Sequence, residues 1–279
     1  MYGLSRSKTA MPWRLNLSSR AAELSGADAF VISIPKSGRT WVRAFLSSYY
    51  CTRYQVPFCL DPSKELHGRI PKIIYSHDLF EHRSKGRWWD RIRGKFLIPA
   101  AELRRAKIVF LVRDPRDAFV SHYVQLTRPS ADSPDSVKKM TASEMLRDPL
   151  LGVGQIVDTM NDWLEDFRDR PNATLIRYED LQADPIAHFG HVLRGIGETD
   201  ISDPALRSAV EFSQFGNMKK LEAAGAFDSK ILQTRDQQDP ESYNVRRGKI
   251  GGYRDYLSPE DQAFAAGIVQ RLSDDFGYE

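Results

Sequence analysis

The chain contains little cysteine and no long apolar segment. Its two cysteines, Cys51 and Cys59, do not have C-x-x-C spacing, so the sequence predicts free thiols in a reducing compartment. No run approaches the 18 or more apolar residues of a membrane span, so no transmembrane segment is expected. No Lys/Arg block has the length expected of a nucleic-acid binder. No constellation of metal ligands is evident, so no metal site is predicted.

The remaining composition is that of an ordinary globular protein. The chain has 279 residues, 41% hydrophobic and 28% charged, with a net charge of +3, enough for one large α/β domain with a substantial core. We predict a polar N-terminal tail over 1–28 and a single domain over 29–279. The tail is rich in Arg and Ser, so an organelle transit peptide is the alternative interpretation. The predicted location is cytoplasmic.

The most informative segment is Phe30–Trp41, which reads F-V-I-S-I-P-K-S-G-R-T-W. An apolar strand runs into a Pro-Lys-Ser-Gly turn that opens a helix. The first backbone N–H groups of a helix lack intrahelical partners, and the helix dipole favours negative charge there. Gly38 permits close approach of the backbone to a phosphate, and Lys36 adds a positive charge. The segment therefore predicts a site for a phosphate-like group.

This turn differs from the common nucleotide-binding loop, G-x-x-x-x-G-K-[ST]. Ser33 stands at the first glycine position and Arg39 at the lysine position, while the lysine precedes the glycine at Lys36. That order resembles the 5′-phosphosulfate loop of the cytosolic-type sulfotransferases, which use 3′-phosphoadenosine 5′-phosphosulfate (PAPS) as donor. The resemblance implies that Lys36 acts at the bridging oxygen during transfer. It implies donor binding by Lys36, Ser37, Gly38, Arg39, Thr40 and Trp41.

Two further segments resemble the motifs of the same family for the 3′-phosphate. Lys107–Tyr123 places Arg113 at the end of an apolar strand and Ser121 eight residues later on a helix; the carboxyl ends of parallel strands are where open α/β sheets bind ligands. Val245–Arg254, V-R-R-G-K-I-G-G-Y-R, matches the family's basic loop at Arg246, Arg247 and Gly248. It departs from the family pattern at Gly252 and Tyr253, where Asp and Trp are usual.

Two smaller matches imply an adenine pocket. Tyr178 lies in T-L-I-R-Y-E-D-L, and Ser213 and Phe215 lie in F-S-Q-F-G-N-M-K-K. The resemblance implies that Trp41 stacks on the base. Aromatic contacts with a few hydrogen bonds are sufficient to hold a purine.

His77 is the predicted catalytic base, at the end of the strand I-I-Y-S. A neutral imidazole can take a proton from an acceptor hydroxyl. The family often has a lysine two residues before this histidine, where Tyr75 stands here. Asp78 is the rival base, because other sulfotransferases use a carboxylate.

The alternation of strands and helices predicts an α/β protein with a P-loop-type three-layer fold, in which helices flank a central, mostly parallel sheet. Long connections are expected at 79–104, 127–150 and 224–245, and loops of such length are usually functional or disordered. The resemblance to the sulfotransferases implies that these loops build the acceptor pocket. Segment 85–96 has five cations, one Asp and three aromatics. It predicts contact with an anionic or lipid-like acceptor or a membrane surface, or else an exposed lid. Strands are predicted near 29–34, 73–76, 107–112 and 174–178, and helices near 40–51, 115–126, 155–169, 186–195, 205–211 and 259–275.

The sequence thus predicts a PAPS-dependent sulfotransferase, which moves the sulfuryl group in line to an acceptor hydroxyl or amine and releases adenosine 3′,5′-bisphosphate (PAP). The acceptor is expected to be a small molecule, lipid or glycan, with no nucleic-acid partner. Two alternatives remain: an ATP–Mg²⁺-dependent P-loop kinase, and a non-catalytic sensor of 3′-phosphoadenosine nucleotides. The oligomeric state is not predicted, because the family's C-terminal dimer motif is not matched.

Overall fold

A four-stranded parallel sheet forms the centre of the protein. The computed structural model describes residues 14–128, 131–223 and 248–278. Its strands are β1 (Ala29–Ser33), β2 (Ile73–Ser76), β3 (Lys107–Val112) and β4 (Ala173–Arg177), in the order β2-β1-β3-β4 with every pair parallel. The predicted strands are confirmed to within one residue at each end.

Alternation along the strands divides the core into two layers. Phe30, Ile32 and Phe110 pack on one face of the sheet, and Val31 and Val109 on the other. Successive strand residues point to opposite faces, so a strand that is apolar at every position is buried on both sides. This burial confirms the predicted three-layer arrangement.

Helices cover both faces. The first layer holds the helices at Pro115–Thr127, Val153–Phe167 and Pro259–Val269, and the second holds those at Arg39–Tyr54, Pro185–Gly195 and Asp203–Phe212. The helices are α1 (Arg20–Leu24), α2 (Arg39–Tyr54), α3 (Asp78–Ser84), α4 (Trp88–Ile92), α5 (Ala100–Arg105), α6 (Pro115–Thr127), α7 (Asp135–Lys138), α8 (Ala142–Arg147), α9 (Val153–Phe167), α10 (Tyr178–Ala183), α11 (Pro185–Gly195), α12 (Asp203–Phe212), α13 (Phe215–Ala223) and α14 (Pro259–Val269), with 3₁₀ turns at Gly252–Asp255 and Asp274–Phe276.

The last predicted helix, 259–275, is too long. Helix α14 ends at Val269, and a 3₁₀ turn follows at Asp274–Phe276. Ser273 separates them: its N–H donates to Asn161 Oδ1 at 2.9 Å and its Oγ accepts from the Asp275 N–H. A serine that bonds its own neighbouring backbone favours a cap over a continuing helix.

The connections predicted at 79–104 and 127–150 contain short helices, α3 to α5 and α7 to α8. These have four to seven residues, too few for an apolar period to be visible in the sequence. One of them did carry a signal, because Thr141 and Glu144 form a capping box at the start of α8. The third connection, 224–245, lies outside the described residues, as do Arg246 and Arg247.

Residues 14–28 differ from the predicted polar tail. Leu24 and Ala27 join the first core layer, and Arg14 is buried between Asp78 and Asp166. The described part of this segment is therefore packed on the domain, because its one buried cation finds two carboxylates there. The division at residue 28 stays a prediction.

Candidate active site

A cavity of about 1630 Å³ opens at the carboxyl ends of the four strands. Ligands bind at this edge in open α/β sheets. The structure brings almost all the described residues that the sequence assigned to the site into the wall of this one cavity. They are Lys36, Gly38, Arg39, Thr40, Trp41, His77, Arg113, Ser121, Tyr178, Ser213, Phe215 and Gly248.

The turn between β1 and α2 has the backbone of an anion site. Lys36 and Gly38 both adopt positive φ, 68° and 88°, and α2 begins directly after Gly38. A Cβ at Gly38 would lie 2.7 Å from Cδ2 of Tyr178. Glycine is therefore required twice, by its φ and by the close approach of the Tyr178 ring. The first residues of this 16-residue helix, Arg39 to Trp41, line the cavity, and the first N–H groups of a helix have no partners within it.

Several buried polar atoms at the site have no hydrogen-bond partner among the residues that the structure describes. They include Ser37 Oγ, Trp41 Nε1 and Arg113 Nε. Leaving a buried donor unsatisfied costs about 1–3 kcal/mol. Trp41 and Arg113 line the cavity, so a polar, anionic ligand bound there could satisfy their two donors, and these residues fit a phosphorylated nucleotide.

Arg113 is fixed at the end of β3. Its Nη1 donates to the Lys36 carbonyl and its Nη2 to the Lys249 carbonyl, each at 3.1 Å. The guanidinium carbon lies 4.4 Å from the centre of the Tyr178 ring. The side chain thus connects the β1–α2 turn with the 248–255 segment, and Ser121 lies two helical turns along α6. Both predicted 3′-phosphate residues face the same cavity.

Asp117, on α6, holds the Gly251–Tyr253 backbone beside Arg113, a role that the sequence did not indicate. Its carboxylate accepts from the Gly251 N–H at 2.7 Å and the Tyr253 N–H at 2.9 Å. Burial raises the pKa of Asp117, while Arg113, 3.8 Å away, acts in the opposite direction. Gln182 was missed as well: its Nε2 donates to the Tyr178 hydroxyl at 2.7 Å and the Gly248 carbonyl at 2.6 Å. The contacts to Gly248, Gly251 and Tyr253 span 66 to 136 positions of the sequence, so no local pattern could reveal them.

The predicted adenine residues surround one end of the cavity. Tyr178 begins α10 instead of ending a strand, and the rings of Trp41 and Tyr178 pack edge to face with their centres 5.7 Å apart. Ser213 is fully buried and Phe215 is partly exposed. An aromatic wall with nearby polar atoms can bind a purine.

His77 has the tautomer that a base requires. Its Nδ1 lies 2.6 Å from the carbonyl oxygen of Ser33 on the neighbouring strand. Because a carbonyl only accepts, Nδ1 carries the proton, and Nε2 is left as the acceptor. Burial, followed by the positive charge of Arg39, lowers the pKa of His77 well below its ordinary value. The imidazole is thus neutral at physiological pH and able to accept a proton.

The rival base, Asp78, is occupied by structural contacts. Its Oδ1 accepts from the Ile98 N–H at 2.8 Å, and its Oδ2 accepts from Arg14 and from Trp163 Nε1. The side chain is completely buried. The structure therefore favours His77 over Asp78 as the base, because both carboxylate oxygens already have donors.

Two other residues lie near His77, and the sequence analysis did not single out the first of them. His122 lines the cavity with a buried, unpartnered Nδ1 among the described residues, and burial followed by the charges of Lys36 and Lys85 lowers its pKa to about 3. Tyr75, at the family's lysine position, packs under Arg43, whose guanidinium lies 5.3 Å from the ring centre. The family's lysine position is thus taken by an aromatic ring that contacts a cation, Arg43.

Comparison with known proteins agrees with this geometry. Residues 27–277 match the family described as the sulfotransferase domain. The chain belongs to the sulfotransferase family. It is 24% identical to cytosolic sulfotransferase 16 of Arabidopsis thaliana (91% of this chain, 78% of the relative) and 25% identical to the amine sulfotransferase of Oryctolagus cuniculus (91% and 83%).

Solved structures confirm the fold. Mouse sulfotransferase SULT7A1, complexed with PAP, superposes with a TM-score of 0.60 at 20% identity, covering 90% of this chain and 86% of that one. A retinol dehydratase solved with androsterone and PAP gives 0.60 at 18% identity, covering 91% and 84%. The predictions of a sulfotransferase and of its α/β fold are confirmed, and the kinase and sensor alternatives are not favoured.

The comparisons and the structure also bear on the expectations for membrane spans, metal ligands and the cysteines. Several matched relatives are named cytosolic sulfotransferases, and none of the helices within the described ranges has the length and apolar character needed to cross a membrane. Within those ranges there is also no group of three or more His, Cys, Asp or Glu side chains placed to hold a metal ion. Cys51 and Cys59 are free, as predicted.

Proposed function

We propose that the cavity binds PAPS in the arrangement implied by the sequence motifs. The observation that carries the proposal is the presence of a neutral, oriented His77 in the same cavity as the left-handed Lys36–Gly38 turn. Residues 36–41 would hold the 5′-phosphosulfate, and Trp41, Tyr178, Ser213 and Phe215 the adenine. Arg113, Ser121 and Gly248 would hold the 3′-phosphate, together with Arg246 and Arg247 from outside the described residues.

The chemistry then requires a proton acceptor and charge neutralisation. His77 Nε2 takes the proton of the acceptor hydroxyl or amine as its oxygen or nitrogen bonds to sulfur. Lys36 neutralises the charge that develops on the bridging oxygen as the S–O bond to the phosphate breaks. Holding both reactants in one cavity supplies the alignment for in-line transfer.

We further propose that no metal ion takes part and that the protein acts in the cytoplasm. The sulfuryl group carries less charge than a phosphoryl group, so cations of the protein are sufficient to neutralise the leaving group. A retinol dehydratase of the same fold has been solved with androsterone and with retinol, so we propose a small or lipid-like apolar acceptor with a hydroxyl or amine. EDTA is expected to leave turnover unchanged.

Thermal unfolding with PAP and with ATP, each with and without Mg²⁺, tests the donor site. A ligand at about 100 times its Kd stabilises the fold by about 2.7 kcal/mol. We expect a metal-independent shift with PAP and little shift with ATP. A shift that appears only with ATP and Mg²⁺ would contradict the proposed donor site.

His77→Ala tests the base. The variant should lose sulfuryl transfer from PAPS in an acceptor screen while PAP still stabilises it as in the wild type. Full transfer activity would reject His77 as the base, whereas lost PAP binding would indicate damage to the donor site.

A further inference from the structure

An exposed apolar patch lies around α4. It consists of Leu15, Leu17, Trp88, Trp89 and Ile92, which we call the tryptophan patch. Their exposed fractions are 63%, 72%, 68%, 40% and 72%. Single exposed apolar residues are ordinary, but a contiguous group on a monomer surface marks an interaction site.

The two leucines are exposed because of a regular alternation. Arg14 and Asn16 are buried, at 3% and 9% exposure, and Asn16 Nδ2 donates to the Leu97 carbonyl at 2.9 Å. In an extended segment, neighbouring side chains point in opposite directions, so Leu15 and Leu17 point to solvent. The Leu17 N–H donates to the Arg93 carbonyl at 2.8 Å, which places this segment beside the end of α4.

Helix geometry puts the other three residues on one side. At 100° per residue, Trp88, Trp89 and Ile92 fall within about 100° of the helix surface. Asp90 falls on the opposite side, where its carboxylate accepts from the Arg87 N–H at 3.1 Å and lies 3.4 Å from Lys95 Nζ. The single acid of segment 85–96 is therefore turned away from the patch.

Cations surround the patch. Segment 85–96 has five Lys and Arg residues, and the side chains of Arg87, Arg91 and Arg93 are exposed. The Arg87 guanidinium lies 5.1 Å from the centre of a Trp89 ring. Exposed tryptophans flanked by Lys and Arg are typical of segments that lie in the interface of an anionic membrane.

We propose that the tryptophan patch binds the surface of anionic lipid membranes. Trp88, Ile92 and the two leucines would enter the headgroup region while Arg91 and Arg93 contact lipid phosphates. Lys85, Gly86 and Phe96, which flank α4 in the sequence, line the cavity, so the bound membrane would lie near the cavity. The contact needs neither donor nor acceptor, so it holds or fails independently of the proposed sulfuryl transfer.

Vesicle sedimentation of the full chain tests the proposal. The probes are vesicles of phosphatidylcholine alone and vesicles with about one third phosphatidylserine. We expect binding to the anionic vesicles only, and weaker binding as salt is raised. Each cation near an anionic surface strengthens binding about fivefold, so Arg91→Glu/Arg93→Glu should weaken it at least 25-fold. Trp88→Ser/Ile92→Ser should weaken it at least tenfold.

A matched control separates the patch from net charge. Lys64→Glu/Lys107→Glu makes the same change in charge at exposed positions, one of them at the amino end of β3, and should bind like the wild type. Unchanged thermal unfolding with PAP would show that all the variants are folded. The proposal is overturned if wild-type protein does not sediment with anionic vesicles, or if the control loses as much binding as the patch variants.

Discussion

Asp78 provides a sharp test of the active-site assignment, because it is adjacent to His77 and was a rival base. The substitution is Asp78→Asn. Asparagine keeps the size of the side chain and tolerates the φ of 38° at this position. It removes the charge that Arg14 contacts and places an NH₂ group where an acceptor is needed.

The expected cost follows from the contacts. Removing one partner of a buried ion pair costs about 3–5 kcal/mol. Arg14 retains Asp166, whose Oδ2 lies 2.8 Å from Nη2, so the lower end applies. We expect a loss of about 3 kcal/mol, equivalent to about 5 °C in Tm for a chain of 279 residues. Asp203→Asn is the control, because Asp203 and Arg207 are each 64% exposed and such pairs contribute less than about 1 kcal/mol.

The assays are urea unfolding of both variants, and sulfuryl transfer well below the Tm of Asp78→Asn. We expect Asp78→Asn to be destabilised but active, because Asp78 fixes residues 14, 98 and 163 around the start of α3. A variant with wild-type stability would refute the structural role. If Asp78→Asn folds but lacks transfer activity while His77→Ala remains active, Asp78 is the base.

Three further predictions concern the turn and the two histidines. Gly38→Ala should weaken PAP binding at least tenfold. The control Gly26→Ala, at a φ of 70° but with no neighbour within 4 Å, should lose about 1 kcal/mol of stability and keep its PAP affinity. Equal PAP affinities of the two variants by calorimetry would contradict this. A base must be neutral, and the pKa of His77 is lowered, so kcat/KM should fall on the acid side only below about pH 6.5. Arg39→Gln should move this fall to higher pH, because the charge of Arg39 helps to lower the pKa of His77. A fall centred above about pH 6.5 in the wild type would reject the assignment. Burial lowers the pKa of His122 to about 3, so as the pH falls the unfolded chain takes up a proton before the folded protein does, and stability should fall below about pH 6.5. We expect the wild type to lose about 1 kcal/mol of unfolding free energy between pH 7 and pH 5, since the ring is partly exposed, and His122→Phe to lose less. An equal change in urea midpoint between pH 7 and pH 5 for the two proteins would contradict this.

The sequence was sufficient for the sheet and for the residues at its edge. Strands 73–76 and 107–112 were predicted with their observed bounds, because runs of apolar residues that end in polar residues are local signals. The same logic placed Lys36, His77 and Arg113 at one edge, since the carboxyl ends of parallel strands meet there.

The contacts that orient these residues could not be predicted. The Ser33 carbonyl sets the tautomer of His77 across 44 positions, and Asp117 holds Gly251 across 134. Such pairs depend on the three-dimensional path of the chain and leave no spacing in the sequence. Asp78 was misleading for the same reason, because its partner Arg14 lies in a segment that composition alone marks as a tail.

Lys36 adopts a left-handed backbone conformation that glycine would adopt at lower cost, by about 1 kcal/mol. The position where a positive charge is needed is therefore one where the fold itself would be more stable with a different residue. A Lys36→Gly protein should unfold at a higher temperature and lose sulfuryl transfer. Selection for thermal stability alone would tend to remove this lysine, so any thermostabilised version of the enzyme should be chosen under a simultaneous requirement for turnover.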